Sequence, residues 1–231
     1  MFGTSYNSPQ IGYRSAADLN SAMSNVYTNM GLAVLTSMII SMLVASSPAI
    51  MTFLFTGVIK WIVIFAPLVA IFAISSVLNS NPSPTVAHLM LHGFAALMGL
   101  SFATIFVIYN LGSIVNAFLG AAVLFGVMSF YGYFTKKSLD SMGKWLFVGL
   151  IGIIITSIIN IFLENSLFQM MLSAIAIVIF LGLTAWDTQR IREELSVDTD
   201  SAAEVKGALS LYMNFINIFL NLLQLFGNKN E

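Results

Sequence analysis

Seven apolar segments follow one another along the chain, and each is close to the length of a membrane-spanning helix. A helix needs about 20 predominantly apolar residues to cross the hydrocarbon core of a bilayer. Only 8% of the residues are charged, whereas a water-soluble domain carries about 25%. We therefore predict an all-α integral membrane protein with seven transmembrane helices in contact with the lipid bilayer. The predicted spans are 26–44, 57–78, 85–109, 113–134, 144–163, 167–191 and 208–226.

The predicted transmembrane domain covers residues 26–227, between a polar cytoplasmic tail at 1–25 and a short tail at 228–231. Because the residues before the first apolar segment are polar and carry little charge, we do not expect a cleavable signal peptide. The formal net charge of -1 argues against a nucleic-acid partner. The absence of cysteine excludes disulfides, thiolate catalysis and thiolate metal sites. No cofactor is expected.

Lysine and arginine are distributed unevenly between the two ends of the predicted spans. Cytoplasmic loops of multi-pass membrane proteins carry an excess of these residues. A cytoplasmic N-terminus places seven of them inside and two, Lys60 and Lys229, outside. We therefore predict that the N-terminus is cytoplasmic and that seven spans bring the C-terminus to the outer side. The inner residues are Arg14, Lys136, Lys137, Lys144, Arg190, Arg192 and Lys206.

Asp187 is the single acidic residue within the predicted spans. An acid at mid-bilayer costs about 3 kcal/mol, less near a helix end, so such residues usually face a bundle interior or a polar path. Arg190 lies one turn further along the same helical face, where it can pair with the carboxylate. We therefore interpret Asp187 as a functional acid, just before a charged loop at 193–206. The alternative is a carboxylate that only caps or pairs with Arg190 at a hydrated helix end.

The last predicted span carries polar side chains at intervals of 4, 3, 4 and 3 residues. This spacing places them on one helical face, which cannot point at lipid, so the helix is expected inside the bundle. Asn214 lies about 9 Å into the helix, where it can meet Asp187. The face provides either interhelical hydrogen bonds of about 0.6 kcal/mol each or the lining of a polar permeation path. It consists of Ser210, Asn214, Asn217, Asn221 and Gln224, with Thr156, Ser157 and Asn160 as candidate partners.

The sequence contains only weak evidence for a metal site or a catalytic site. His88 and His92 lie at i and i+4 near the start of the third span. Leu89 follows the first of them, so the His-Glu-x-x-His zinc motif is absent. We interpret the pair as interfacial or hydrogen-bonded, with pH sensing as the alternative. An intramembrane aspartyl protease needs two membrane acids, and Glu164 lies in a predicted loop. We therefore expect no enzymatic activity.

Three regions of the sequence together resemble the Bax inhibitor 1 family, in its bacterial branch. They are FGVMSFYG at 125–132 with TKKSL at 135–139, GLTAWDTQRI at 182–191, and ALSLYMNFINIF at 208–219. The similarity extends from about residue 20 to residue 227. It implies a seven-helix bundle in which the last helix is enclosed by the other six, in the inner membrane of a bacterial cell.

The resemblance also implies a pH-sensitive calcium leak, gated near the cytoplasmic side by two aspartates on the last two helices. The first aspartate maps to Asp187 and the second to Asn214, where this chain departs from the family pattern. Two close carboxylates share a proton, whereas an aspartate–asparagine pair titrates once. We therefore predict weaker or acid-shifted pH gating.

Each polar residue at this site receives a role under the leak hypothesis. Asp187 is the gate and a transient calcium ligand, Arg190 is its latch, and Asn214 is its hydrogen-bond partner. Calcium prefers several oxygen ligands, and the amide oxygens of Asn214 and Asn217 are candidates. Calcium or another cation is then the permeant ion rather than a bound cofactor. The rest of the predicted ion path consists of Ser210, Asn217 and Asn221.

A rival hypothesis is a non-enzymatic membrane interaction protein. Some bacterial members of the family modulate a membrane-bound AAA protease by binding it. That role would depend on the N-terminal tail and would tolerate the loss of Asp187, whereas a leak requires Asp187 and the polar face of the last span.

Overall fold

The computed structural model describes residues 14–80, 82–197 and 201–230, which form nine helices. Seven spans are long and apolar enough to cross a membrane, namely α1, α3, α4 with α5, α6, α7, α8 and α9. The predicted all-α class and the seven spans are therefore confirmed. The helices are α1 Ala16–Ala45, α2 Pro48–Phe55, α3 Ile59–Leu78, α4 Pro84–Phe102, α5 Ile105–Ile108, α6 Leu111–Phe134, α7 Asp140–Leu163, α8 Ser166–Val197 and α9 Ser201–Phe226.

Several helices run beyond the predicted spans at the end of the bundle where α8 gives way to α9, hereafter the α8–α9 end. The prediction of a charged loop at 193–206 is wrong for the residues that the structure describes there. α8 continues to Val197, and α9 begins at Ser201. Ile191, Leu195 and Val205 are buried, so an apolar stripe holds the extended helices together outside the predicted spans. Asp187 consequently lies ten residues, or about 15 Å, before the end of α8.

The first helix also starts earlier than predicted. α1 begins at Ala16, and the side chain of Ser15 caps it by accepting a hydrogen bond from the backbone N–H of Asp18 at 3.2 Å. The last part of the predicted polar tail is therefore the first part of α1. The remainder of that tail, residues 1–13, lies outside the described residues, as does residue 231 of the predicted C-terminal tail.

A proline in α3 is compensated from the neighbouring helix. Pro67 has no backbone N–H, so the carbonyl of Val63 lacks its usual partner within α3. Ser101 on α4 donates its hydroxyl to this carbonyl oxygen at 2.7 Å. The predicted third span is interrupted just after this contact, because α4 ends at Phe102 and α5 begins at Ile105. The contact joins the two spans where both deviate from regular helix.

α9 packs against five other helices, namely α1, α3, α4, α6 and α8. The enclosure of the last helix by all six other spans stays a prediction. Tyr212 is fully buried, and its hydroxyl lies 2.6 Å from that of Ser37 on α1, which also donates to the carbonyl of Ala95 on α4. α7 packs mainly on α8 and α3 on α4, so a groove remains between α3 and α7. We call it the α3–α7 groove; one face of α9 forms its floor.

The first and last described residues, Arg14 and Asn230, lie at opposite ends of the bundle. Arg14 pairs with Glu204 at 3.3 Å, and its backbone N–H donates to the carbonyl of Ser196 at the α8–α9 end. At the other end, Asn110 donates its backbone N–H to the carbonyl of Asn228 at 3.2 Å, beside the bridge between Tyr109 and Lys229. This arrangement is that of an odd number of spans. Which end faces the cytoplasm stays a prediction from the lysine and arginine distribution.

Candidate functional site

The Asp187 carboxylate accepts hydrogen bonds from three side chains. Arg190 Nη2 donates to Oδ1 at 2.7 Å, Ser210 Oγ donates to Oδ2 at 2.9 Å, and Asn214 Nδ2 donates to Oδ2 at 2.7 Å. Asp187 and Asn214 are each 5% exposed. The structure thus brings four of the predicted site residues together at the contact between α8 and α9. We call these four residues the Asp187 cluster.

Glycines on two neighbouring helices allow close packing against the segment of α8 before Asp187. A Cβ atom added to Gly132 of α6 would overlap the backbone of Ala185, and one added to Gly143 of α7 would overlap the ring of Trp186. A larger residue at either position would push α8 away. These glycines therefore fix where the carboxylate of Asp187 lies relative to α9.

Thr188 and Gln189, which follow Asp187, join α8 to α6 and to the α6–α7 connection. Gln189 is buried, its Oε1 accepts the backbone N–H of Leu139 at 2.7 Å, and its Nε2 donates to the carbonyl of Lys137 at 2.9 Å. Thr188 Oγ1 donates to Ser129 Oγ at 3.3 Å. Gln189 was not among the predicted site residues, although a glutamine two residues after a membrane acid was a signal for a buried hydrogen bond.

Arg190 makes contacts on two sides. Its guanidinium carbon lies 4.8 Å from the centre of the Trp186 ring, and its Nη2 also lies 3.5 Å from Ser210 Oγ. Its Nε is buried and has no hydrogen-bond partner within the part of the chain that the structure describes. The side chain is 35% exposed. Arg190 therefore holds Asp187 while part of its hydrogen-bonding capacity is unused.

A cavity of about 740 Å³ occupies the α3–α7 groove. Arg190, Ser210 and Asn214, the three donors to Asp187, all line it. Asp187 itself does not, so its own hydrogen-bond donors separate the carboxylate from the cavity. The cavity continues along α9 past Asn217 and Asn221. This face of α9 is the polar side of an otherwise mainly apolar space.

Asn217 and Asn221 use only their amide nitrogens within the helix. Asn217 Nδ2 donates to the carbonyl of Met213, and Asn221 Nδ2 donates to the carbonyl of Asn217, both at 2.8 Å. Among the described residues, neither side-chain oxygen accepts a hydrogen bond. Both residues therefore retain oxygens that are available to an occupant of the cavity.

The last residue of the predicted polar face and two of its candidate partners lie outside the cavity lining. Gln224 is exposed and accepts a hydrogen bond from the hydroxyl of Tyr109 at 3.3 Å. Thr156 bonds within its own helix, and Asn160 donates to Gln169 Oε1 at 3.0 Å. Of the three candidate partners on α7, Ser157 alone lines the cavity.

The two histidines are not part of the Asp187 cluster. His92 Nδ1 lies 3.0 Å from Thr36 Oγ1, so it joins α4 to α1. Both histidines are half-buried. Among the described residues, no group of three or more His, Asp or Glu side chains is placed to hold a metal ion. A pH-sensing role for His88 and His92 stays a prediction.

The fold and this site define a class of protein: a polytopic helical membrane protein with a buried acid bonded between its last two long helices. The family described as "Inhibitor of apoptosis-promoting Bax1" matches residues 19–231, and the chain belongs to this Bax inhibitor family. The resemblance found in the sequence is therefore confirmed.

Bacterial relatives match nearly the whole chain. The inner membrane protein YbhL of Escherichia coli K12 is 35% identical over 219 residues, which cover 92% of this chain and 94% of the relative. The protein RP147 of Rickettsia prowazekii is 35% identical over 214 residues, or 90% of each chain. A protein of Borreliella burgdorferi is 36% identical over 218 residues, which cover 92% of this chain and 94% of that protein.

Proposed function

We propose that this protein is a passive, pH-sensitive cation leak of the bacterial inner membrane, with calcium as its principal ion. The observation that carries the proposal is the position of Asp187. It is the single acid of the predicted spans, and its three hydrogen-bond donors line a cavity along the polar face of α9. The relation to YbhL, whose name places that protein in the inner membrane, supports the location.

In this proposal the structure represents a closed gate. Ser210 and Asn214 of α9 both bond to Asp187 of α8, so the carboxylate ties the two helices together. Arg190 supplies a charge-assisted hydrogen bond, which is stronger than a neutral one. An ion in the cavity meets these donors and not the carboxylate. The gate opens when the donors move away from Asp187.

Protonation of Asp187 is the proposed trigger. Only the ionised carboxylate carries the charge that pairs with Arg190, so proton uptake weakens that hydrogen bond. Asn214 adds no second negative charge, and the pair takes up a single proton. Opening is therefore expected at acid pH. An ionised Asp187 that its donors have released also serves as a transient calcium ligand.

Side-chain oxygens of α9 supply the proposed path beyond the gate. Asn217 and Asn221 line the cavity, and no donor among the described residues bonds to their side-chain oxygens. Calcium binds to neutral carbonyl oxygens as well as to carboxylates. Weak binding of this kind suits a permeant ion, because an ion that is held tightly does not leave.

Calcium entry into proteoliposomes tests the proposal. Wild-type protein is expected to admit calcium faster than protein-free vesicles, and Asp187→Ala is expected to change that rate. Glu164→Ala serves as a control, because Glu164 is an exposed acid at the other end of α7 from the Asp187 cluster. A wild-type rate equal to that of protein-free vesicles would refute the leak. In that case binding to a membrane-bound AAA protease, with and without residues 1–13, becomes the test of the rival hypothesis.

A further inference from the structure

We propose that the α3–α7 groove is a binding site for one anionic phospholipid. The phosphate binds Arg190 and Lys206 at the α8–α9 end, and an acyl chain lies between α3 and α7. The groove is also the cavity of the proposed ion path, so a bound acyl chain would occupy that path and ions would pass only when the lipid leaves. Lipid binding itself is tested without any measurement of ion flux.

Positive charge at the mouth of the groove is the first observation. Lys206 lines the cavity, is exposed, and makes no ion pair or hydrogen bond within the described part of the chain. Arg190 donates from Nη2 to both Asp187 and Ser210. Its buried Nε has no hydrogen-bond partner among the described residues. Arg190 and Lys206 are the two charged residues in the cavity lining, and both are cationic. Basic pockets between spans bind the head groups of anionic lipids.

Apolar side chains form the two side walls of the groove. Those on α3 are Leu68 and Ile71, and those on α7 include Leu150, Ile154 and Ile158. Ile154 is 51% exposed, although it belongs to the cavity lining. Because α3 and α7 are outer spans of the bundle, the space between them opens towards the bilayer. A free phosphate ion would not bury the apolar surface of these walls, whereas an acyl chain would.

The groove is long enough to hold an acyl chain. Lys206 and Asn221, the first and last residues of α9 that line it, are 15 residues apart, or about 22 Å at 1.5 Å per residue. The hydrocarbon core of a bilayer is about 30 Å thick, so one leaflet contributes about 15 Å. An acyl chain whose phosphate lies at Lys206 can therefore extend along the groove through the depth of one leaflet. It also covers the lateral opening between α3 and α7.

The two cationic side chains of the cavity lining distinguish anionic from zwitterionic lipids. Phosphatidylcholine carries a quaternary ammonium group, which Lys206 and Arg190 repel. Phosphatidylglycerol carries only the phosphate charge. We therefore expect the site to prefer phosphatidylglycerol, by about fivefold for the charge of Lys206.

Native mass spectrometry tests the predicted preference for an anionic head group. The full chain is purified in detergent with equal amounts of phosphatidylglycerol and phosphatidylcholine. Wild-type protein is expected to retain phosphatidylglycerol in preference. Lys206→Gln is expected to lower that ratio about fivefold. Lys136→Gln, which removes an exposed charge from the α6–α7 connection outside the groove, should leave the ratio unchanged. Equal effects of the two substitutions would overturn the site, as would a wild-type ratio of one.

A second pair of variants tests the acyl-chain part. Ile154→Trp fills the groove, whereas Ile155→Trp places the same side chain on the adjacent residue, which is similarly exposed at 54% but lies outside the cavity lining. Retained phosphatidylglycerol should fall several-fold in the first variant and not in the second. Full retention by Ile154→Trp would overturn the proposal. Because no ion flux is measured, either outcome leaves the leak hypothesis to its own test.

Discussion

Asn214 Nδ2 donates to Asp187 Oδ2 at 2.7 Å, and this hydrogen bond joins α8 to α9 across 27 residues of sequence. The family pattern implied a carboxylate at each of these positions. The amide fills the second position as a donor, so the two side chains attract one another while Asp187 is ionised. The exchange of a carboxylate for an amide therefore favours the hydrogen-bonded arrangement of the Asp187 cluster.

Arg190→Gln is expected to increase the leak. Glutamine has no charge with which to hold Asp187, and hydrogen bonds to charged groups contribute about 1.5–3 kcal/mol. Because Arg190 is partly exposed, we take the lower end of that range, which corresponds to about a tenfold rise in calcium entry at neutral pH. Calcium entry into proteoliposomes measures it. Arg192→Gln is the control, since Arg192 bonds to the carbonyl of Tyr133 and not to Asp187. An unchanged rate in Arg190→Gln would show that Arg190 is not the latch.

Ser101→Ala is expected to destabilise the bundle by about 1–3 kcal/mol, because the Val63 carbonyl loses its hydrogen bond in a buried position. Thermal unfolding in detergent measures the effect. In a Pro67→Ala background the restored backbone N–H can bond to Val63, so Ser101→Ala should cost less there. A double-mutant cycle with a coupling energy near zero would contradict this account of the proline.

Gly132→Ala is expected to lower the unfolding temperature, because the new methyl group would overlap the backbone of Ala185. Overpacking of this kind costs about 1–3 kcal/mol. Gly126→Ala on the same helix is the control, since a Cβ atom there meets no heavy atom within 4 Å. Equal shifts in the two variants would mean that helix propensity, and not the contact with α8, sets the effect.

Much of the fold was predictable because the signals were local. Span number followed from the lengths of the apolar segments. The ends of the helices at the α8–α9 end were not predicted, because charged residues were read as a loop. Ile191 and Leu195 lie at helical spacing among those charges and are buried. That pattern indicated a continued amphipathic helix and was available in the sequence.

The Asp187 cluster was predictable in part. A lone acid and a polar helical face had few ways to avoid lipid except by meeting one another. The groove beside the cluster was not predictable, because an isoleucine that faces a cavity looks the same in a sequence as one that faces lipid. Ile154 and Ile155 are such a pair. Lys206 was counted for topology alone, since its place at the mouth depends on how α9 packs.

The most direct test of the central claim is calcium entry into proteoliposomes over a pH series, with Asn214→Asp compared with Asn221→Asp. Both variants add a carboxylate to the same face of α9, but only residue 214 contacts Asp187. Two adjacent carboxylates share a proton, so Asn214→Asp should move the opening transition towards neutral pH, and Asp187→Ala should abolish it. Asn221→Asp should leave the transition where the wild type has it. A transition that is the same in wild type, Asn214→Asp and Asp187→Ala would contradict the assignment of Asp187 as the gate.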